Sequence, residues 1–215
     1  MGMIQLFSNE AYDVSLLSSP DEITPKIISG EVSVATIPSN LAAVLYNKMQ
    51  GGISVVAVNT MGVLYILEND DSVESVADLA GKTIYATGQG STPEFALKKI
   101  LAANGVENVT VEYLGAHADL ANAMAAGDVT LALLPEPFVS TVLAKNADVK
   151  VKIDINEEWR KIFGEDAGMP MGVTVVQNDF AADTAAMEKL IADYSKSVEY
   201  VTSNPDAAAA DIVAA

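Results

Sequence analysis

The chain has 215 residues, half of them hydrophobic, which is enough for one large domain or two small domains with packed cores. Its 29 acidic residues outweigh 12 basic residues, and the formal net charge of -17 excludes nucleic acid as the expected partner. The absence of cysteine excludes disulfides, thiol catalysis and thiolate metal sites. No apolar run is long enough to span a membrane, and no signal peptide is visible at Met1.

Segments with strand and helix patterns alternate along the whole chain. The predicted strands are residues 13–17, 32–37, 53–67 with a break at 60–62, 83–86, 108–114, 129–134, 149–155 and 172–177. The predicted helices are residues 20–29, 41–48, 75–79, 93–101, 119–126, 138–144, 157–163, 184–202 and 206–215, and residues 1–7 are part of another. Because helical crossovers separate most of the strands, the pattern predicts an α/β fold with parallel sheets.

The most informative stretch is a strand, a glycine turn and a helix start between residues 83 and 101. Gly88, Gln89 and Gly90 form the predicted turn, and Ser91 or Thr92 is placed to cap the helix. The first amides of a helix lack internal partners and its dipole attracts negative charge, so this stretch predicts an anion site. An ordinary βα turn, in which the glycines only reverse the chain, remains the alternative.

An internal repeat divides the chain. Residues 30–38 and 127–135 share the pattern glycine, acid, valine, hydroxyl, aliphatic, alanine, any residue, aliphatic, proline, at an offset of 97 residues (127 minus 30). This offset is too long for a solenoid and predicts two similar α/β lobes. The first copy has no counterpart of residues 83–90, so we expect residues before Met1 to supply a strand of the first lobe. Residues 211–215 stop inside a helix pattern, and the chain is expected to be truncated at both ends.

Three motifs carry a family resemblance. They are residues 19–48, which include Gly-Glu-Val-Ser-Val-Ala-Thr-Ile-Pro-Ser-Asn, residues 75–94, which include Asp-Leu-Ala-Gly-Lys-Thr-Ile, and residues 133–138, Leu-Leu-Pro-Glu-Pro-Phe. They resemble the type II periplasmic binding proteins, and in particular the nitrate/sulfonate/taurine and thiamine-precursor group of ABC-transporter substrate-binding proteins. The resemblance covers nearly the whole chain.

The resemblance implies a two-lobe type II periplasmic-binding-protein fold, in which each lobe is a mostly parallel sheet flanked by helices. Residues 1–62 and 172–215 would form lobe 1, residues 63–171 lobe 2, and the crossings would lie near 59–62 and 168–172. It also implies an extracytoplasmic solute-binding protein, periplasmic or a cell-surface lipoprotein, that passes its ligand to an ABC-transporter permease. Such a protein performs no chemistry, holds no cofactor or metal, and meets the membrane only through a lipid anchor outside this chain.

The ligand implied is small and anionic or zwitterionic, similar to a sulfonate, taurine, nitrate or a thiamine pyrimidine. The resemblance implies that it lies between the two lobes, which close on it. The matching loops follow strands or lie at the lobe crossings, where open α/β sheets bind ligands. They give the candidate ligand-binding residues Ser18, Ser19, Pro38, Ser39, Asn40, Thr60, Met61, Gly88, Gln89, Gly90, Ser91, Thr92, His117, Glu136, Pro137 and Met171.

Structural roles compete with ligand binding at several of these positions. The Ser18–Ser19 pair and the Ser39–Asn40 pair are also suited to helix capping. Glu136 is suited to compensating a helix dipole, with contact to a ligand amine as the functional alternative. His117 is the only histidine, so it makes neither a zinc site nor a catalytic triad by itself, and a loop hydrogen bond is its structural alternative.

Two other functions remain open from the sequence. The same fold supports biosynthetic enzymes, here of a thiamine-pyrimidine or menaquinone-type pathway, and it also forms the effector-sensing domain of LysR-type regulators. The sequence contains no Walker loop, zinc-protease motif or complete dinucleotide fingerprint, and no catalytic residue is assigned from it.

Overall fold

The computed structural model describes residues 12–17 and 20–214. The chain forms two compact units, one made of residues up to Asn59 and from Val173 onward, the other of Thr60–Gly172. We call them unit 1 and unit 2. The boundaries fall inside the strands β2 (Ile53–Met61) and β8 (Pro170–Gln177). No helix within the described residues is long and apolar enough to cross a membrane.

Unit 1 contains a three-stranded sheet in the order β1-β8-β2, in which β1 is Val34–Pro38. Its helices are α1 (Pro20–Ser29), α2 (Ser39–Lys48), α7 (Asn178–Ala181), α8 (Thr184–Ser203) and α9 (Pro205–Ala214). Side chains alternate across β8, so Val175 packs with Ile27 and Leu45 while Val176 packs with Leu190. The sheet therefore has helices on both faces, as an α/β unit requires.

Unit 2 contains a five-stranded sheet in the order β5-β4-β6-β3-β7. These strands are β3 (Leu64–Glu68), β4 (Thr83–Ala86), β5 (Thr110–Tyr113), β6 (Leu131–Pro135) and β7 (Lys150–Asp154). The helices are α3 (Thr92–Ala103), α4 (His117–Ala126), α5 (Phe138–Lys145) and α6 (Ile155–Phe163), with a short 3-10 helix at Val76–Leu79. One core cluster joins β3 to α3 and α6, and the other joins it to α4 and α5.

The α/β fold class is confirmed, but two strands run against the predicted parallel direction. β4 is parallel to β5 and β6, whereas β3 is antiparallel to both β6 and β7. In unit 1, β8 is antiparallel to β1, since Gln177 N donates to Ser33 O and the Thr174 side chain meets that of Thr36.

The structure corrects the predicted strand at residues 13–17, which has no regular secondary structure. Leu16 is 64% exposed there. A strand is stable only when a neighbour takes its backbone hydrogen bonds, and within the described residues the sheets assign it no neighbour. The predicted helix at residues 1–7 lies outside the described residues. The helix predicted at residues 119–126 ends at Gly127, which forms its C-cap with a left-handed φ of 87°.

Candidate ligand-binding site

Loops from several strands of unit 2 meet at one edge of its sheet. Leu114 N donates to Ala86 O at 2.9 Å, which aligns the ends of β4 and β5. Glu136 N donates to Val63 O at 2.9 Å, which places the end of β6 beside the start of β3. The loops that follow β4, β5 and β6 therefore lie together at the carboxyl ends of parallel strands, the edge where open α/β sheets bind ligands.

The loop between β4 and α3 is compact. Gly88 and Gly90 have φ angles of 73° and 77°, a region that favours glycine. Ser91 N donates to Gly88 O at 3.0 Å, and the Ser91 hydroxyl donates to the same oxygen. Gly90 N donates to Glu94 Oε2 at 2.6 Å. This Gly90 hydrogen bond, followed by that of Lys98, holds the pKa of the Glu94 carboxyl below its usual range.

These contacts bear on the anion site predicted over residues 88–92. The Gly90 amide already binds the Glu94 carboxylate of the following helix α3, and both donors of Ser91 are used within the loop. Gln89 is exposed, and Thr92 begins α3. The anion site remains a prediction, and any ligand there would have to use donors other than these three.

His117 lies against two neighbouring loops. It is the first residue of α4, and its Nδ1 shares a hydrogen bond with the Oγ1 of Thr87 at the end of β4. Its ring centroid lies 5.3 Å from that of Phe138, which begins α5. Burial of the half-buried ring lowers the pKa of His117 below its usual value. The imidazole is therefore neutral at physiological pH.

Acidic side chains cap the helices that follow β6 and β7. The Glu136 carboxylate accepts hydrogen bonds from Ser140 N at 3.1 Å and Ser140 Oγ at 2.9 Å, next to Pro137 at the N-cap of α5. Asp154 accepts from Asn156 N at 2.8 Å, at the start of α6. The sequence had not singled out Asp154, although an aspartate before a helix with a glutamate three residues later is an N-cap signal.

Tyr65 is a second residue at this edge that the sequence pattern does not single out. It lies opposite Asp154 of β7 and Leu134 of β6. Burial, and then the negative charges of Asp154 and Glu136, raise the pKa of the Tyr65 phenol. Its hydroxyl is therefore protonated at neutral pH and can donate a hydrogen bond. A single tyrosine at the start of an apolar strand carries no local signal of this role.

The candidate residues of unit 1 lie at the end of β1. Pro38 is the N-cap residue of α2 and makes no side-chain cap bond, and Ser39 and Asn40 form the first turn. The helix begins at Ser39 and not at Leu41 as predicted, because the fixed φ of Pro38 is compatible with an N-cap directly after the strand. Ser18 and Ser19 lie outside the described residues.

The remaining candidates lie where β2 and β8 enter unit 2. Gly62 N donates to Met169 O at 3.0 Å, which joins the two chain segments. Thr60 and the exposed Met61 end β2. Met171 is half-buried and packs against the core cluster that contains Met169, so its side chain has a structural role. Among the residues that the structure describes, no group of three acidic or histidine side chains could hold a metal ion.

Solved structures define the class of fold. The chain matches an ABC transporter protein from Parabacteroides distasonis at 21% identity and a TM-score of 0.80, covering 98% of this chain and 72% of that one. It matches the periplasmic aliphatic sulphonate binding protein from Escherichia coli at 19% identity and a TM-score of 0.76, covering 98% and 73%. The alkanesulfonate-binding protein from Xanthomonas axonopodis pv. citri, bound to MOPS, matches at 19% identity and 0.64, covering 97% and 69%.

The fold is thus that of the periplasmic binding proteins, which confirms the resemblance drawn from the sequence motifs. At these identities the likeness concerns the fold alone. The family follows from the sequence itself, since the family model for menaquinone biosynthesis matches residues 3–215. The chain belongs to this menaquinone-biosynthesis family. Among curated protein sequences, none matches this chain.

Proposed function

We propose that the protein is a solute-binding protein that captures a small organic ligand and delivers it to an ABC-transporter permease. In this proposal it binds the ligand without transforming it and acts outside the cytoplasm, with a lipid anchor outside this chain as its only membrane attachment. The fold shared with sulfonate-binding proteins supports the proposal.

The observation that carries the proposal is the convergence of three loops at the sheet edge of unit 2. They contribute Thr87 and the Gly88–Thr92 turn after β4, His117 after β5, and Glu136 after β6. The Thr87 hydroxyl and the His117 imidazole meet there beside the aromatic ring of Phe138, and Glu136 lies on the neighbouring loop. A few oriented polar groups next to apolar surface are typical of small-molecule sites.

The ligand class follows from the charges at this edge. The Tyr65 phenol and the His117 imidazole are uncharged at neutral pH, so they suit acceptor groups such as a sulfonate, a carboxylate or a ring carbonyl. Glu136, whose side chain is exposed to solvent, would attract a ligand amine. We therefore propose an anionic or zwitterionic ligand similar to a sulfonate or taurine, or a thiamine-pyrimidine-like ring.

Native mass spectrometry of freshly purified protein tests the proposal directly. A bound small molecule of defined mass, released unchanged by denaturation, is the expected result. Protein that carries no ligand and takes up none from cell extract would contradict it.

The family match favours a second candidate, a biosynthetic enzyme on the same fold. The two functions differ in what happens to the recovered molecule. Incubated with catalytic amounts of protein, an enzyme substrate disappears with time and a product of different mass accumulates. A ligand of a binding protein stays unchanged at every protein concentration.

We predict that ligand binding closes the protein. We propose that residues 59–62 and 168–172 act as hinges, since the boundaries between the compact units fall there. Saturating ligand is expected to lower the radius of gyration in solution scattering, and a small molecule that does not bind is the control. An unchanged radius at saturation would contradict the hinge proposal.

Two glycines of one loop give a matched test of the β4–α3 turn. A Cβ at Gly88 would lie 2.6 Å from Ser91 Oγ, whereas a Cβ at Gly90 would meet nothing within 4 Å. Both residues have similar positive φ angles, so only the contact differs. We expect Gly88→Ala to weaken ligand binding roughly tenfold or more and Gly90→Ala to change it by about threefold or less, measured by calorimetry. Equal affinities for the two variants would exclude this turn from the site.

A further inference from the structure

The hydrogen bond between Thr87 and His117 fixes which ring nitrogen carries the proton. Thr87 is 2% exposed, and its hydroxyl has one hydrogen to donate. Within the described residues, His117 Nδ1 is the acceptor available to it. If Nδ1 carried the proton instead, the buried hydroxyl hydrogen would have no acceptor, which costs free energy. Thr87 therefore donates to Nδ1, and the neutral ring carries its own proton on Nε2.

The other side of the ring reaches solvent. In the described part of the chain, the buried side-chain nitrogen and oxygen atoms without a partner are Asn156 Oδ1 and Arg160 Nε. His117 Nε2 is not among them, and the described residues give it no partner. It is thus accessible, and the N–H points away from Thr87 at the same sheet edge as Glu136 and the β4–α3 turn.

Several features of its surroundings affect the charge of the His117 ring. It begins α4, where the helix dipole disfavours positive charge, and Phe138 covers it with an apolar ring. The charged groups on the elements around it are Asp119 on α4, Glu136 before α5, Lys145 at the end of α5, and Glu94, Lys98 and Lys99 on α3. Burial is the cause that lowers its pKa.

We propose that His117 is a hydrogen-bond donor of the ligand site, held by Thr87 as the Nε2–H tautomer, and that it binds an acceptor oxygen of the ligand. Thr87 is the positioning residue in this arrangement. The inference rests on the proposed binding function and deepens it, because it requires a carboxylate, sulfonate or carbonyl oxygen at this point. A ligand that places only N–H groups there would put its donors against the Nε2–H donor of His117, and it would not bind at this point.

The arrangement predicts a sign for the pH dependence of binding. Protonation of His117 turns a neutral donor into a charged one, and a charged hydrogen bond is stronger. An anionic ligand should thus bind more tightly as the pH falls through the pKa of the ring, and by linkage it should raise that pKa. With ethanesulfonate as the probe, we expect about three- to tenfold higher affinity at about pH 5.5 than at about pH 8.

The single histidine makes the tautomer directly measurable, since its nitrogen signals need no assignment. Two-bond proton–nitrogen correlation spectra of the whole chain at about pH 8 should show Nε2 protonated and Nδ1 unprotonated. Thr87→Val should allow a detectable fraction of the Nδ1–H tautomer and Thr87→Ser should suppress it again, while circular dichroism verifies that each variant is folded. A protonated Nδ1 in the parent, or an unchanged tautomer in folded Thr87→Val, would overturn the proposal.

Titration with ethanesulfonate completes the test. The Nε2 signal should move on addition of the probe, and the pKa of the ring should rise. Binding detected by calorimetry without a shift of the Nε2 signal would overturn the donor role of His117 while leaving the binding function intact. Turnover of the recovered ligand would instead contradict the proposed function. The result of the tautomer measurement does not depend on that outcome.

Discussion

Replacing Gly62 by alanine is expected to lower the free energy of unfolding of unit 2 by about 2–4 kcal/mol. Gly62 has a φ of 34°, and a Cβ there would lie 2.2 Å from both Cγ and Oδ1 of Asn156. The new methyl group would therefore clash with α6 at the point where the chain enters unit 2. Trp159, the only tryptophan, lies on α6 and reports on unfolding of this unit by fluorescence in a denaturant titration.

Two further variants isolate the contact. Gly105→Ala is the matched control, because Gly105 has a φ of 65° and a Cβ there would meet nothing within 4 Å. This variant should lower the free energy of unfolding by about 1–2 kcal/mol through backbone strain alone. Removing the opposing side chain in Gly62→Ala/Asn156→Gly should recover part of the loss, as a favourable coupling in a double-mutant cycle. Equal losses for Gly62→Ala and Gly105→Ala would show that Asn156 does not restrict Gly62.

Replacing Glu68 by leucine is expected to destabilise unit 2 by about 2–4 kcal/mol. Glu68 is 2% exposed at the end of β3. Its carboxylate accepts hydrogen bonds from Ser72 N at 2.8 Å and Val73 N at 2.9 Å, and from the Ser72 hydroxyl. Leucine fills a similar volume but accepts none of these bonds, so the buried Val73 amide would lose its acceptor.

The control for Glu68 is an exposed carboxylate of the same sheet. Glu112→Leu on β5 replaces an exposed glutamate and should change the free energy of unfolding by about 0.5 kcal/mol or less. The Trp159 fluorescence transition measures both variants. A Glu68→Leu variant as stable as Glu112→Leu would mean that water satisfies the loop amides in its place.

The local elements were predictable because their signals lie within a few residues. Strand β4 is found at Thr83–Ala86, as predicted, and Gly127 ends α4 with the left-handed backbone that glycine permits. The turn at Gly88–Gly90 also lies where the glycines indicated. Strand direction was less accessible, since the antiparallel placement of β3 depends on its neighbours β6 and β7, which are far away in the sequence.

The candidate site was likewise predictable only in part. Its loops were predictable as the segments that follow strands, and they include Gly88, His117 and Glu136. Three contacts needed the structure: the Gly90 amide bound to Glu94, the Thr87 hydroxyl bound to His117, and the opposition of Tyr65 to Asp154. The sequence does not show whether a backbone amide is already hydrogen-bonded. The donors that are available to a ligand could therefore be identified only from the structure.

The sequence by itself determined the α/β class, the repeat that relates residues 30–38 to 127–135, and the family, because these depend on periodicity and on residue identity. The tertiary structure alone decided which side chains share the sheet edge. Thr87 lies 30 residues before His117 (117 minus 87), and His117 lies 21 residues before Phe138 (138 minus 117). They come together only through the pairing of β4, β5 and β6. Contacts of this kind depend on strand order and register, which no local pattern encodes.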